Sequence, residues 1–410
     1  MRSSGVRYRG RRALLQQTAA VIRAELREIV TDDGVRLIML FAIFIYATLY
    51  GLAYGSEVLR NVPIAVVDMS QTSSSRRLTH ALGEGASVQV AFVAQDIEEA
   101  KRLLYERKIY GAVYIPADYE QRLAGGGQAD VAIYCDASYF LIYREVFEQI
   151  VATLTTTGAT AEIRRLVAQG VGEPQASAVT EPVIYESHTL FNPYLGYGTF
   201  VMPAIIIIII QQTLLMSIGI IGATNPPKKE ISVLASTSDS RSSIFALMVG
   251  KIVTYSMVSG MVTTLALTLP YYFFEYPMLG SVWSVVAVIV PYILACTMLG
   301  IALSTLFCHR EEPIMWLLWS SIPILMLSGV SYPTSAMPAP LAALGTLFPS
   351  SHAVQAFLRV RDMGASVTDI LLPLAALWIQ VALYGVLAVL LLGYRAKRGS
   401  PELVERPDSV

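Results

Sequence analysis

The sequence predicts an α-helical integral membrane protein with six transmembrane helices and an α/β extracytoplasmic domain inserted between helices 1 and 2. Six apolar stretches are long enough to cross a bilayer, and a polar block at residues 56–195 follows the first of them. The composition agrees, because a mean hydropathy of +0.53 with 15% charged residues is too apolar for a soluble domain of 410 residues.

The predicted spans divide into one helix at residues 35–54 and five helices at residues 197–394. A helix satisfies its own backbone hydrogen bonds, as hydrocarbon requires of an open-ended segment. The fifth span is the shortest and contains Pro323, so we expect it to be kinked or interrupted. The spans are Val35 to Tyr54, Tyr197 to Ile221, Ile244 to Pro270, Val282 to Phe307, Pro313 to Val330 and Ile370 to Tyr394.

Basic residues predict the orientation of the spans. Lysine and arginine crowd the N-terminus, the loop after the second span and the tail at residues 395–410. Since such residues in short loops stay in the cytoplasm, both termini are predicted to be cytoplasmic and the polar block to lie outside. Arg359 and Arg361 are the only basic residues in the loop after the fifth span, and they sit beside Asp362, so they weaken this prediction little.

Residues 1–34 are predicted to form a cytoplasmic N-terminus with an amphipathic interfacial helix at residues 13–31. A helix of this kind lies on the inner membrane surface, either without a further role or as an element that transmits force. Its apolar side and its polar side are formed by Leu15, Ile22, Leu26 and Ile29, and by Gln16, Arg23 and Arg27.

The extracytoplasmic domain, assigned to residues 55–196, alternates strand patterns with helix patterns, which is typical of a small α/β domain. Strands are predicted at residues 62–67, 88–93, 111–115 and 131–134, and a long helix at residues 139–171. Residues 56–195 hold 17 acidic and 11 basic residues, a net charge of −6. This acidic balance argues against nucleic acid as a partner.

Sequence signatures of catalysis are missing from the chain. No G-x-x-x-x-G-K-[ST] pattern occurs, so the chain has no P-loop for ATP, and its four histidines show no metal-ligand spacing. We therefore expect no catalytic residue, no bound cofactor and no metal in this chain. The spans are also poor in charge, which disfavours an ion-coupled carrier.

Neutral polar residues inside the spans have two possible roles. Gln211, Gln212, Thr263 and Thr264 could line the path of an amphiphilic substrate, or they could join neighbouring helices by hydrogen bonds. The sequence leaves both open.

The loop at residues 222–243 is the longest internal cytoplasmic loop. It has room for one short helix that could sit in a groove of a soluble partner, although a solvated connector also fits. The residues that would make this contact are Lys228, Lys229, Glu230, Ile231 and Leu234.

Residues 331–368 are dense in helix breakers and cannot form one helix. Because broken backbone at membrane depth needs burial or a wet cavity, we interpret them as an outer re-entrant segment and a candidate external gate. A purely structural outer loop is the alternative. The gate residues are Ser328, Gly329, Pro333, Met337, Pro338 and Pro349.

The region before the last span resembles that of a known family. Its motifs are Leu327-Ser328-Gly329-Val330-Ser331-Tyr332-Pro333, then Met337-Pro338, Phe348-Pro349 and Arg361-Asp362-Met363-Gly364-Ala365. These motifs, and the layout of one helix, a large external domain and five more helices, resemble the ABC-2 type ABC transporter permeases in their long form.

The resemblance implies a permease dimer, formed by two identical chains or with a sibling permease, in the bacterial cytoplasmic membrane among its lipids. A separate ABC ATPase subunit would bind ATP and Mg²⁺, with residues 222–243 as the coupling loop. In the bacterial long forms a periplasmic adaptor protein often takes part.

The expected function is that of the membrane-spanning subunit of an ATP-driven exporter, which moves an amphiphilic or drug-like substrate or a lipid outward. The alternative is a multi-span receptor or docking protein whose external domain binds an envelope partner. Six spans with a broken segment are more than an anchor requires.

Overall fold

The computed structural model describes residues 3–54, 59–183, 189–192, 196–226, 230, 240–274 and 278–398. The chain divides into two units. A helical unit comprises Met1–Gly55 and Leu195–Val410, and a mixed unit comprises Ser56–Tyr194.

Two helices begin the helical unit, α1 (Ser3–Thr31) and α2 (Asp33–Tyr54). Asp32 separates them, because its side chain accepts a hydrogen bond of 3.0 Å from the backbone N–H of Val35 and caps α2. One π-helical stretch, Leu37–Phe41, interrupts α2 near its start. The predicted amphipathic helix at residues 13–31 is the second part of α1.

The mixed unit alternates strands with helices. Its elements are β1 (Val62–Asp68), α3 (Ser73–Gly83), β2 (Val88–Ala94), α4 (Ile97–Tyr105), β3 (Gly111–Ile115), α5 (Tyr119–Ala124), β4 (Ala132–Cys135), α6 (Phe140–Ala168) and α7 (Glu173–Thr180). The strands form one sheet in the order β2-β1-β3-β4, in which β1 is parallel to β2 and β3, and β4 is antiparallel to β3. Each strand begins and ends within a residue of its predicted bounds.

Strand β1 contributes to two separate cores on the two faces of the sheet. Ile64 and Val66 point to one face, where they pack with side chains of α3 and α6. Ala65 and Val67 point to the other face and pack with side chains of α4. Because β1 is buried on both faces, its sequence is a nearly continuous apolar run, and this pattern predicts a strand.

After the mixed unit, the helical unit continues with α8 (Tyr197–Thr224), α9 (Ser240–Phe274), α10 (Val282–Ser304), α11 (Glu312–Leu327), α12 (Ala339–Gly345), α13 (Pro349–Met363) and α14 (Leu371–Arg398). Short 3₁₀ turns, Thr334–Ala336 and Val367–Ile370, precede α12 and α14.

By length and composition, five helices among the described residues can cross a membrane: Asp33–Tyr54, Tyr197–Thr224, Ser242–Thr268, Val282–Ser304 and Val367–Lys397. The fifth predicted span differs from these. Its helix, α11, has 16 residues and contains Pro323. At ~1.5 Å per residue it is about 24 Å long, which is less than the roughly 30 Å of a hydrocarbon core.

Helix α8 lies at the centre of the helical core, and 83% of its most apolar window is buried. Helix α10 runs parallel to it in close contact. The Tyr292 hydroxyl donates to the carbonyl of Ile207 near one end of this contact, and Ser304 packs on Gly222 at the other. A Cβ atom on Gly222 would lie 2.6 Å from the Cβ of Ser304. Small residues permit this close approach of two helices in a membrane protein.

Replacing Gly222 with leucine should separate α8 from α10. Overpacking of this kind destabilises a protein by about 1–3 kcal/mol. We expect a lower unfolding midpoint for the detergent-solubilised Gly222→Leu protein. The matched control is Gly393→Leu, since a Cβ atom on Gly393 meets nothing within 4 Å; equal midpoints for the two variants would contradict the close packing at Gly222.

Candidate functional site

A buried ammonium group ties three separate segments of the helical unit together. Lys251 of α9 donates hydrogen bonds to a carboxylate oxygen of Glu25 in α1 and, at 3.1 Å, to one of Glu230. The side chains of Lys251 and Glu25 are only 7% and 4% exposed. Tyr255 of α9 donates its hydroxyl hydrogen to the second oxygen of Glu25 at 2.5 Å. We call Glu25, Glu230, Lys251 and Tyr255 the ionic junction.

The junction decides which face of α1 is buried. Gln17, Val21, Glu25 and Ile29 are spaced four residues apart, lie on one stripe of the helix and are each at most 6% exposed. This stripe packs on α9. Leu15, which the sequence places on the apolar side, is 69% exposed. The helix therefore buries a row with two polar members, because Glu25 finds its partners there.

The charges of the junction do not cancel. Two carboxylates and one ammonium group leave a formal charge of −1 when all three are ionised. Burial raises the pKa of the Glu230 carboxyl, Lys251 lowers it and Glu25 raises it, with a net upward direction. One oxygen of Glu230 has no hydrogen-bond partner among the described residues. Glu230 is thus the member of the junction that has spare capacity to accept a hydrogen bond.

The coupling loop predicted at residues 222–243 meets this junction through Glu230. Of the five residues proposed for the contact with a partner, Glu230 is the one that the structure describes; Lys228, Lys229, Ile231 and Leu234 lie outside the described residues. The structure therefore places one point of the loop against α9, and Lys251 links it to Glu25 of α1.

Neither Glu25 nor Tyr255 is among the residues predicted to form a site. A signal for them exists, however, because Lys251 and Tyr255 are four residues apart and so share one face of α9. A lysine within an apolar helix requires an acidic partner, and an acidic residue on an adjoining amphipathic helix is the natural candidate.

The glutamine pair of α8 joins neighbouring helices. The side-chain oxygen of Gln211 accepts a hydrogen bond of 2.9 Å from the backbone N–H of Ser350 at the start of α13. The side-chain amide of Gln212 donates to the carbonyl of Leu317 and to the hydroxyl of Ser321 in α11, both at 2.9 Å. Both glutamines thus form hydrogen bonds between helices, as in the alternative in which they join neighbouring helices.

The threonine pair of α9 is not brought together with the glutamines. Thr263 is 1% exposed, and its hydroxyl has no hydrogen-bond partner among the described residues. Thr264 is exposed, and its hydroxyl donates to the carbonyl of Gly260 within the same helix at 2.8 Å. Within the described part of the chain, no hydrogen bond links the two pairs into one polar path.

Each proline of the predicted gate marks the start of a helical segment. Pro333 precedes the turn Thr334–Ala336, Pro338 precedes α12 and Pro349 is the first residue of α13. Proline suits these positions because the first helical N–H has no intrahelical partner. Met337 ends the 3₁₀ turn and leads into Pro338.

Ser328 and Gly329 end α11. Ser328 is fully buried, and its hydroxyl donates to the carbonyl of Leu325 at 2.7 Å. Gly329 has a φ of +90°, a left-handed conformation that glycine adopts without strain. The chain therefore turns sharply out of α11 at this pair.

Helix α13 runs antiparallel to the first half of α8. It begins beside Gln211, which lies midway along α8, and near its end the Arg361 guanidinium donates to the carbonyl of Thr199 at 2.9 Å. The segment between α11 and α14 therefore reaches half the depth of the helical bundle and returns to the level at which α8 begins.

Side chains of α14 hold the deepest part of this segment. Gln380 donates its side-chain amide to the carbonyl of Thr346 at 2.8 Å, and the Tyr384 hydroxyl donates to the carbonyl of Leu347. His352 lies 3.1 Å from the carbonyl of Thr346 through its Nε2 atom. Carbonyl groups left over where α12 ends thus find side-chain donors, as broken backbone in an apolar setting requires.

The position of Arg361 differs most from the one that the sequence predicts. The sequence places it in an outer loop beside Asp362, whereas the structure places it in α13 with 0% exposure. Besides Thr199, its guanidinium pairs with the carboxylate of Asp362 at 2.8 Å. Arg361 therefore fastens the end of α13 to the start of α8.

One end of the helical unit gathers four chain segments. The Arg310 guanidinium, in the turn between α10 and α11, pairs with Asp32 at 2.5 Å, and Arg395 of α14 contacts the sulfur of Cys308 at 3.9 Å. The junction around Lys251 adds α1 and α9. Helices α2, α9 and α11 thus begin at this end of the helical unit, while α10 and α14 end there.

The comparison with known protein families gives a match to most of the chain. The model of the ABC-2 family transporter proteins matches residues 35–390. The chain belongs to the ABC-2 family. No match was found among curated proteins. Family membership makes the chain the membrane component of an ABC transporter, and the ATPase with which such a permease associates is a separate subunit.

The described residues of this ABC-2 permease include no group of three or more His, Cys, Asp or Glu side chains that could hold a metal ion. Lys251 and Tyr255 of the ionic junction donate to Glu25, and Gln380 and Tyr384 of α14 donate to carbonyls of the segment that precedes α13. These bonds hold neighbouring segments of the helical unit together.

Removing the Lys251 ammonium group should destabilise the protein, because the buried carboxylates then lack a cation. In Lys251→Met the carboxylates of Glu25 and Glu230 lose their cation, and breaking a buried pair costs about 3–5 kcal/mol. We expect a large fall in the unfolding midpoint of this ABC-2 permease in detergent. The double variant Glu25→Gln/Lys251→Met should recover part of the loss.

The control is Lys101→Met in the mixed unit, since Lys101 pairs with Glu98 on the surface, with side chains 43% and 75% exposed. Exposed pairs contribute at most about 1 kcal/mol. Equal losses for the variants at Lys251 and Lys101 would refute a buried, structurally required ion pair.

Proposed function

We propose that this ABC-2 permease is the membrane subunit of an ATP-driven exporter that moves an amphiphilic or drug-like substrate, or a lipid, out across the bacterial cytoplasmic membrane. The observation that carries the proposal is the ionic junction. It joins the coupling loop, through Glu230, to both the N-terminal helix α1 and the span α9. A push on the loop would therefore move α1 and α9 together.

The proposed topology has six crossings with both termini in the cytoplasm and the mixed unit outside. Helix α11 alone is short, but α13 continues from mid-depth to the opposite end of the bundle, so the two helices in series complete the fifth crossing. The contacts of Asp32 with Arg310 and of Arg395 with Cys308 support this proposal. They bring the beginning of the first span and the end of the last to one end of the bundle.

In the proposed mechanism the partner ATPases bind ATP and Mg²⁺ and dimerise, which displaces the coupling loops of a permease dimer. The dimer consists of two copies of this chain or of this chain and a sibling permease. Through the junction the displacement rocks α1 and α9 as one body. The segment at residues 331–368 acts as the external gate, and the acidic mixed unit docks a periplasmic adaptor.

The first test is co-purification. The C-terminally tagged protein, gently solubilised from native membranes, should recover a P-loop ATPase in near-equal amount by mass spectrometry. Reproducible absence of an ATPase from folded protein would argue for a receptor or docking protein.

Substitution within the loop tests the contact with the ATPase. Replacing Ile231 and Leu234 with aspartate should abolish ATPase association, because charges cannot enter an apolar groove without a large desolvation cost. Ser236→Asp/Thr237→Asp changes the polar half of the same loop and is expected to leave association intact. Both variants should insert into the membrane, and retained association of the Ile231→Asp/Leu234→Asp protein would remove the assignment of the coupling loop.

Cysteine labelling tests the number of crossings. Cys308 is exposed, Cys296 is buried, and burial raises the pKa of the Cys135 thiol to about 11, which keeps it unreactive at neutral pH. With six crossings, Cys308 and a cysteine placed in the C-terminal tail should both react with an impermeant maleimide only after the cells are permeabilised. With five crossings, the tail cysteine would react in intact cells.

A further inference from the structure

A cavity with an apolar wall and several polar residues lies beside α13, on the half of the helical unit that faces outward in the proposed topology. Its volume is about 570 Å³, and it lies between the end of α11, the segment from Thr334 to Thr346, α13 and the start of α14. Helix α13 lies within the predicted gate segment at residues 331–368, and of the six residues named for the gate only Pro349 belongs to it.

One face of α13 presents hydrogen-bond donors to this cavity. Ser351, Gln355 and Arg359 line it at spacings of four residues. Ser351 is only 4% exposed, yet its hydroxyl has no hydrogen-bond partner among the described residues. Within the same residues, the side chains of Gln355 and Arg359 form no hydrogen bond or ion pair. Three residues that can donate, one of them charged, thus lie along the cavity without a side-chain partner among the described residues, with the Ser351 hydroxyl buried in the wall.

The remaining walls complement these donors. None of the described lining residues is acidic, and Leu327, Leu372 and Ala376 form an apolar wall opposite α13. A fitting ligand therefore has an anionic group for Arg359, further oxygen atoms that can accept hydrogen bonds from Gln355 and Ser351, and an apolar body. No described lining residue has a carboxylate that could pair with a cationic group on the ligand.

We propose that this cavity binds the phosphate-bearing head of an anionic glycerophospholipid. The Arg359 guanidinium pairs with the phosphate through parallel N–H···O bonds. Gln355 and Ser351 lie one and two helical turns deeper, at roughly 6 and 12 Å along the helix axis, and donate to the ester oxygens. The acyl chains lie along Leu327 and Leu372.

The site does not depend on the proposed export function, because it belongs to this chain alone. Binding is therefore measured on the purified full-length protein without any ATPase, so that failure here and failure of ATPase association are separate results. The probes are phosphatidylglycerol, phosphatidylcholine and soluble sn-glycerol 3-phosphate, with lipid retention measured by native mass spectrometry and the unfolding midpoint measured in detergent.

The test variant is Ser351→Ala/Arg359→Gln. Wild-type protein should retain phosphatidylglycerol in preference to phosphatidylcholine and gain thermal stability from it, and the variant should bind phosphatidylglycerol about tenfold more weakly, since it lacks a charge-assisted hydrogen bond. Arg359→Lys keeps the cation and should retain part of the affinity. Ser350→Ala, a buried neighbour outside the cavity, and Lys397→Gln, a cation at the other end of α14, are the controls and should bind like wild type.

Equal retention of phosphatidylglycerol by the wild type and the double variant would overturn the proposal, as would equal retention of the two lipids by the wild type. Competition by sn-glycerol 3-phosphate would show that the head group alone suffices and that a free phosphate ester can also enter. Absence of competition, with phosphatidylglycerol binding still dependent on Arg359, would identify the membrane as the source of the ligand. Lipid-free unfolding midpoints show whether each variant is folded, and if the double variant fails to fold it is replaced by Arg359→Gln alone.

Discussion

Burial of the Lys251 charge is the constraint on which the arrangement of the helical unit depends. An ammonium group this deeply buried needs anionic partners, and the two that it finds come from segments about 226 and 21 residues away in the sequence. The same bonds select the face of α1 that packs inward. They fix the relative positions of α1, α9 and the loop that follows α8. This fixed arrangement is the basis for the proposed transmission of force.

In the segment between α11 and α14 the same requirement applies to the backbone: a buried polar group needs a hydrogen-bond partner. Where helices are interrupted, N–H and C=O groups lose their partners, and an apolar surrounding makes each loss costly. Gln211 receives the N–H of Ser350, while Gln380 and Tyr384 donate to the carbonyls of Thr346 and Leu347. Polar side chains inside the spans therefore support the broken backbone.

Much of the architecture was predictable from local pattern. Apolar length alone located the helices α2, α8, α9, α10 and α14, and continuous apolar runs located the strands of the mixed unit to within a residue. Proline and glycine predicted the interruptions after α11, because a missing N–H or a left-handed φ acts locally. Charge and length also identified the loop at residues 222–243 as unusual, although the ion pair of Glu230 with Lys251 was not predictable from them.

What the sequence by itself determined is the set of elements, their order and the alternation of their direction, since periodicity, hydropathy and chain breakers act over a few residues. Only the tertiary structure decided which polar groups meet. Glu25 could have faced water, Arg361 read as a loop residue, and Gln211 could have lined a path or joined two helices. Each of these outcomes depends on contacts between segments tens to hundreds of residues apart, and the free energy of burying a charge or an amide depends on the partner that folding brings to it.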